Sequence, residues 1–143
     1  MKKLILLLAF LSMFQFTKGP REGISGQVLW LRNDQMSGPS KTIAPPLGVT
    51  REISIYRATY LKDAQQDDQF FSELTTELVT KLWSKEDGTF KVKLPPGEYS
   101  VFTRESKGLY AGVIDKNGCI NCVIVKPKKY SWVAITIDYD VPY

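Results

Sequence analysis

The chain has 143 residues, 43% of them hydrophobic and 12% aromatic, with 19 Lys and Arg against 15 Asp and Glu. A chain of this size fits one domain and can bury roughly two thirds of its unfolded surface, enough for a core without metal or several disulfides. It contains no histidine, which removes the commonest general base, the serine triad and most zinc sites.

Met1-Lys2-Lys3 is a short basic start, and Leu4 to Phe16 is a nearly unbroken apolar run. The run is about 13 residues long, against the roughly 18 to 20 that a membrane helix needs. Residues 1–19 therefore read as a secretory signal peptide and 20–143 as the domain. Thr17 and Gly19 are small residues at the cleavage spacing, but Pro20 would follow the cut, so the cut is placed only between 17 and 24. The expected destination is the periplasm, the cell surface or the medium, with no membrane span once the leader is gone. Lys2, Lys3 and Lys18 leave with it, so 16 basic residues face 15 acidic ones, a balance of +1. The excess of base belongs to the leader and implies no nucleic-acid or anionic-membrane partner. Lys126, Lys128 and Lys129 around Pro127 read as a solvated turn.

Gly23 to Arg32 is the first predicted strand, with Ile24, Gly26, Val28 and Trp30 on one face. Asn33 to Gly48 lacks periodicity and holds Ser37-Gly38-Pro39 and Ala44-Pro45-Pro46-Leu47-Gly48, so it reads as a long loop of the functional or mobile kind. Arg51 to Tyr56 alternates as a second strand. Asp63 to Asp68 is turn-like. Phe70, Phe71, Leu74, Leu78 and Leu82 recur at three- and four-residue spacing, which predicts a short helix near 68–75, capped by Asp67-Asp68, before a strand near 77–84.

The stretch Ser84 to Phe102 carries the clearest pattern. Asp87-Gly88 offers the positive φ of a two-residue hairpin turn. Phe90, Val92 and Leu94 then alternate with Lys91 and Lys93, and Pro96-Gly97 fits the centre of a type II turn before Tyr99 and Val101 resume the alternation. Leu109 to Ile114, Asn121 to Val125 and Tyr130 to Tyr139 are further strands, the last one closing the fold. Strands at roughly 8- to 12-residue intervals predict an all-β antiparallel sandwich of seven to eight strands.

Gly23-Ile-Ser-Gly-Gln-Val28, Ser84 to Phe90 and Leu94-Pro-Pro-Gly-Glu-Tyr99 resemble the carboxypeptidase regulatory-like domain, a prealbumin-like (transthyretin-like) β-sandwich. The mature chain as a whole is similar to small exported proteins of Bacteroidetes-type bacteria that carry this domain alone, and Gly108-Leu-Tyr-Ala111 and Ile135-Thr-Ile-Asp-Tyr139 fit that likeness. The resemblance implies a fold and no active site. The zinc peptidase that lends the family its name is a separate domain, and its metal needs imidazoles that this chain lacks. The long 33–48 segment and the two cysteines depart from the family's pattern.

Cys119-Ile-Asn-Cys122 is the only cysteine pair. Three readings compete: a structural disulfide of an exported protein, a redox pair, and half a metal site. A redox thiol wants a helix N-terminus, whereas here an Asn117-Gly118 turn precedes and the β-rich Val123-Ile-Val125 follows. Cysteines three apart in a strand lie roughly 10 Å apart and point to opposite faces, so a bridge requires a turn at 119–122. Asp115-Lys-Asn-Gly118 and Glu86-Asp-Gly88 resemble the start of calcium loops without the later ligands. No cofactor and no metal are expected.

The function expected is therefore a non-catalytic exported module that binds or supports a protein, peptide or glycan. Its surface is read from the long loop and neighbouring aromatics: Met36, Leu47, Tyr56, Tyr110 and Tyr130. The alternative is an exported thiol-disulfide oxidoreductase using Cys119 and Cys122, for which a helix from 122 onward would speak.

Overall fold

The computed structural model describes residues 19–31 and 45–139. Most of the leader, Met36 and residues 33–44 of the long loop lie outside them. The described chain forms β1 (Gly23–Trp30), β2 (Leu47–Gly48), β3 (Glu52–Arg57), β4 (Gln65–Asp67), β5 (Phe70–Ser72), β6 (Leu78–Trp83), β7 (Thr89–Lys93), β8 (Gly97–Glu105), β9 (Gly108–Tyr110), β10 (Cys122–Val125) and β11 (Tyr130–Ile137). Seven of these segments are four residues or longer, which matches the seven to eight strands expected, and four shorter ones extend the sheets. The one helical turn among the described residues is a 3-10 turn at Leu61–Asp63.

Two sheets make an all-β sandwich. The four-stranded sheet runs β11-β1-β2, with β7 also on β1. The seven-stranded sheet runs β4-β5-β9-β8-β3-β6, with β10 also on β8. Ile24 and Val28 of β1, Ile53 and Ile55 of β3, Tyr99 and Val101 of β8, and Val133, Ile135 and Ile137 of β11 fill the space between them. The alternation read from the sequence is what aims these side chains at one another.

One pairing departs from the antiparallel expectation. β1 and β11 are parallel, with Val28 beside Ile135 and Gly26 beside Val133. Parallel neighbours need a long connection, and nearly the whole domain lies between these two. The pairing is tight at Gly26, where an added Cβ would collide with the Val133 carbonyl oxygen and come within 2.7 Å of the Phe90 ring.

The turn signals hold locally but join different sheets. Gly88 has φ +82°, and its N–H donates to the Lys85 carbonyl at 2.8 Å. Yet β6 pairs with β3 and β7 pairs with β1, so Asp87-Gly88 is an arch between the layers and not a hairpin. Its ends are held on opposite sides. The Ser84 N–H donates to the Arg51 carbonyl, while the Gly88 carbonyl accepts from the Val28 N–H. The chain then returns to the seven-stranded sheet through Leu94-Pro95-Pro96. Gly97 has φ +158°, far from the roughly +80° of a type II turn, and is already the first residue of β8. The corner is fixed by Tyr99, whose hydroxyl donates to the Pro95 carbonyl at 2.6 Å, a bond of the tyrosine-corner kind.

The helix expected near 68–75 is absent. Asp68 and Gln69 turn the β4–β5 pair, with Asp68 at φ +54°, so Asp67-Asp68 caps nothing. Phe70 points into the main core, and Phe71 packs on the opposite face with Phe102, Leu109, Ala111 and Ile120. Adjacent residues on opposite faces are strand geometry. The helical spacing is a by-product of a sheet that is covered on both sides. The strand expected over 109–114 stops at Tyr110, and residues 111–121 turn back over that second cluster.

Two outcomes follow. In urea unfolding, Gly26→Ala is expected to cost several kcal/mol through overpacking, on the order of 3, and Tyr99→Phe about 1 kcal/mol through its lost hydrogen bond. The second outcome concerns acid. Thr89 donates to Asp87 Oδ1 from its hydroxyl at 2.6 Å and its N–H at 2.9 Å, and these bonds hold the carboxyl below its ordinary value of 3.8. A depressed carboxylate stabilises the fold above the unfolded pKa, and that contribution is lost as pH falls through the folded one. The urea midpoint of Asp87→Asn should therefore depend less on pH than that of wild type between about pH 4 and pH 2.

Candidate functional site

Inward positions of the four-stranded sheet are apolar, so every second residue faces out. The register places three outward rows side by side. Tyr130 of β11, Gly23 of β1 and Lys93 of β7 form one row, and Trp132, Ser25 and Lys91 form the next. Ala134, Gln27 and Thr89 follow. The middle strand thus presents small side chains where the flanks present rings and ammonium groups. Because nothing projects from Gly23, the Lys91 ammonium reaches across β1 to sit 4.2 Å from the Tyr130 ring centroid, a cation–π contact. Trp132 stands 63% exposed beside it.

At the end of this face, Gly19, Arg21, Lys91, Lys93 and Tyr130 line an open depression of about 490 Å³, within the size range of ligand clefts. Among the described residues, Arg21, Lys91 and Lys93 make no ion pair. The nearby Glu22 carboxylate accepts the Lys128 backbone N–H. Three cations therefore meet at one surface, and the field there favours an anion.

The cysteine pair occupies a different place. Cys119 and Cys122 are joined by a disulfide with Cα atoms 5.7 Å apart. The bridge is possible because Asn121 takes φ +40°, a left-handed conformation that Asn tolerates, so the chain turns as a bridge requires. The Asn121 side-chain amide donates to the Val101 carbonyl at 2.9 Å, tying the turn to β8. Cys119 is buried and bridges Tyr60, while Cys122 begins a strand. No helix starts here, so neither cysteine sits at the helix N-terminus that a redox pair wants. Glu98 lies near both sulfurs. The disulfide helps to fasten the 111–121 cover, with Ala111 and Ile120, over Phe71 and Phe102.

The remaining sequence-derived surface residues do not converge. Leu47 is exposed on β2, beside Trp30 at the far end of β1 from Tyr130. Tyr56 is half-buried on the outer side of the other sheet, edge-on to Phe102 at 5.7 Å. Tyr110 is a correction: it is 2% exposed and lies in the main core. Its hydroxyl donates to the Asp138 carboxylate at 2.5 Å, with the Thr136 carbonyl at 3.2 Å. It cannot stack a ligand. Among the described ones, Tyr130 alone belongs to the charged face. Arg21, Lys91, Lys93 and Trp132 are additions that the β11–β1–β7 pairing makes visible. The signal in the sequence for Lys91, Lys93 and Trp132 is that they occupy the outward positions of alternating strands; Arg21 precedes β1 and carries none.

Two acidic groups have structural partners. Asp115 Oδ1 accepts the N–H groups of Asn117 and Cys119 at 2.8 and 3.0 Å, which is turn chemistry. Glu105, buried at the opposite end of the sandwich, pairs with Arg51 at 3.2 Å and accepts from the Tyr139 hydroxyl at 3.0 Å. Among the described residues no helix is long and apolar enough to cross a membrane. Comparison with protein-family profiles, with curated proteins and with solved structures finds no match.

The disulfide sets one expectation. It closes a loop of only four residues, so its removal in Cys119→Ser/Cys122→Ser should cost roughly 2 kcal/mol by chain entropy. Thiol counting on the unreduced, denatured protein should find none free; two free thiols would remove the bridge from the account.

Proposed function

We propose that the protein is a non-catalytic exported binding module of the carboxypeptidase regulatory-like type, holding an anionic ligand on the outer face of its four-stranded sheet. The observation that carries this reading is the meeting of Lys91 and Lys93, without ion pairs among the described residues, with Tyr130 and the exposed Trp132 across a strand of small side chains; Arg21 joins them where the leader is cut before it. Export rests on the basic-then-apolar leader and agrees with a disulfide in the mature domain. The non-catalytic part of the reading is supported by the absence of histidine, the commonest general base, and by the engagement of Asp115 and Glu105 in structural bonds. The oxidoreductase alternative gains no support from a buried Cys119 followed by a strand.

The regulatory-like assignment rests on the motifs Gly23 to Val28 and Leu94 to Tyr99 together with the sandwich they build. Fold alone does not name a ligand, so the site must be tested directly. Lys91→Glu/Lys93→Glu should fold like wild type, because both side chains project into solvent. On glycan and peptide arrays it should lose at least about tenfold in affinity for each ligand that wild type retains, which is about 1.4 kcal/mol. Leu47→Ala should change nothing. Unaltered retention by the charge-reversed protein would move the site elsewhere.

A further inference from the structure

We infer that the ligand of this face is an anionic polysaccharide, a chain of sugar rings bearing carboxylate or sulfate groups. The inference rests on the reading above that the outer sheet face is the binding surface, and it names the chemistry which that surface selects.

Three observations lead there. First, the charged surface is open. Lys91 and Lys93 are successive outward residues of β7, roughly 7 Å apart along the strand, and border a shallow depression with Tyr130 on its other side. An open face of this kind suits a polymer with repeated charges better than one compact anion, which wants an enclosing site.

Second, the aromatics lie on the other flank in the same rows, Tyr130 opposite Lys93 and Trp132 opposite Lys91. A sugar ring has an apolar face that can stack on an indole and a polar rim that can stay in water. A ring lying against Ser25 would meet Trp132 on one side and the Lys91 side chain, which crosses β1 at Gly23, on the other.

Third, the backbone here is already used. β1 is paired on both sides, to β11 on one and to β7 and β2 on the other, so a peptide lying across the face would find no N–H or C=O to pair with. Lysines on β7 also discourage strand addition at its outer edge. A single-stranded nucleic acid needs a succession of open aromatic faces, whereas one face of Tyr130 is taken by the Lys91 ammonium at 4.2 Å. Trp132 remains as one platform beside the row of charges, which suits a sugar acid.

The experiment measures binding of the protein to polygalacturonate and to chondroitin sulfate by titration calorimetry at low and at elevated salt. The controls are a fully methyl-esterified galacturonan, polyglutamate and an oligothymidylate. The expected result is binding to at least one anionic glycan that weakens as salt screens the charges. Lys91→Ala/Lys93→Ala and Trp132→Ala should each lower that affinity roughly tenfold, with Trp132→Phe restoring part of it. The esterified polymer should bind at least roughly tenfold more weakly than its charged parent.

Binding to neither anionic glycan, equal binding of the esterified polymer, or polyglutamate or oligothymidylate bound as tightly as the glycans would overturn the ligand class. The sheet-face reading survives such a result only where the bound ligand is lost in Lys91→Ala/Lys93→Ala. Anionic-glycan binding indifferent to both the lysine and the Trp132 variants would overturn the inference and the proposed surface together.

Discussion

Five consecutive residues of β8, Tyr99 to Thr103, are shut off from water, and each has to be matched on one side of the sheet or the other. Tyr99 and Val101 face the four-stranded sheet; Ser100 and Phe102 face outward. The outward pair needs a cover, which residues 58–64 and 111–121 supply. The Thr59 N–H donates to Ser100 Oγ at 2.8 Å, and Phe71, Leu109 and Ile120 close over Phe102. Most of the chain after β3 can be understood as the consequence of burying one strand on both faces.

That arrangement explains where the disulfide sits. The cover is made of short segments with little internal pairing: Tyr60 bridges Cys119 and Ile114 bridges Ile120. Isolated bridges hold a loop weakly, and a local cross-link limits the states the loop can visit when unfolded. The cysteines serve the back of the seven-stranded sheet, away from the charged face. This separation gives the bridge a structural reason with no appeal to redox chemistry.

The two sheets consequently have different outer surfaces. The seven-stranded sheet spends its outer face on a second apolar cluster. The four-stranded sheet leaves its own bare, with rings along β11 and ammonium groups along β7. A face without bulky side chains on its middle strand, bounded by unlike chemistry on its two flanks, is what the proposed binding reading rests on. It stands on a strand pair that approaches closely at Gly26, where an added Cβ would collide with the Val133 carbonyl oxygen.

Much of this was legible in the residues. The alternation in Gly23 to Trp30, Phe90 to Leu94 and Tyr130 to Ile137 determined strands and their inward faces, since a two-residue period leaves little choice about which side is apolar. Asp87-Gly88 determined a reversal, and the spacing of cysteines at 119 and 122 required a turn if bridged. Partnership was another matter. Whether β6 and β7 pair with each other or part to opposite sheets depends on Ser84 being drawn to Arg51 and Gly88 to Val28, contacts far apart in the chain. The helical spacing from Phe70 to Leu82 misled because two-sided burial mimics it. Tyr110 could not be told from a surface ring until β9 was seen beside β8. Likewise Arg21, Lys91 and Trp132 carry no motif. Only the pairing of β1 with β11 on one side and β7 on the other sets Lys91 and Trp132 on one face, because neighbours across a sheet are decided by the packing of the whole chain and not by any local stretch of it.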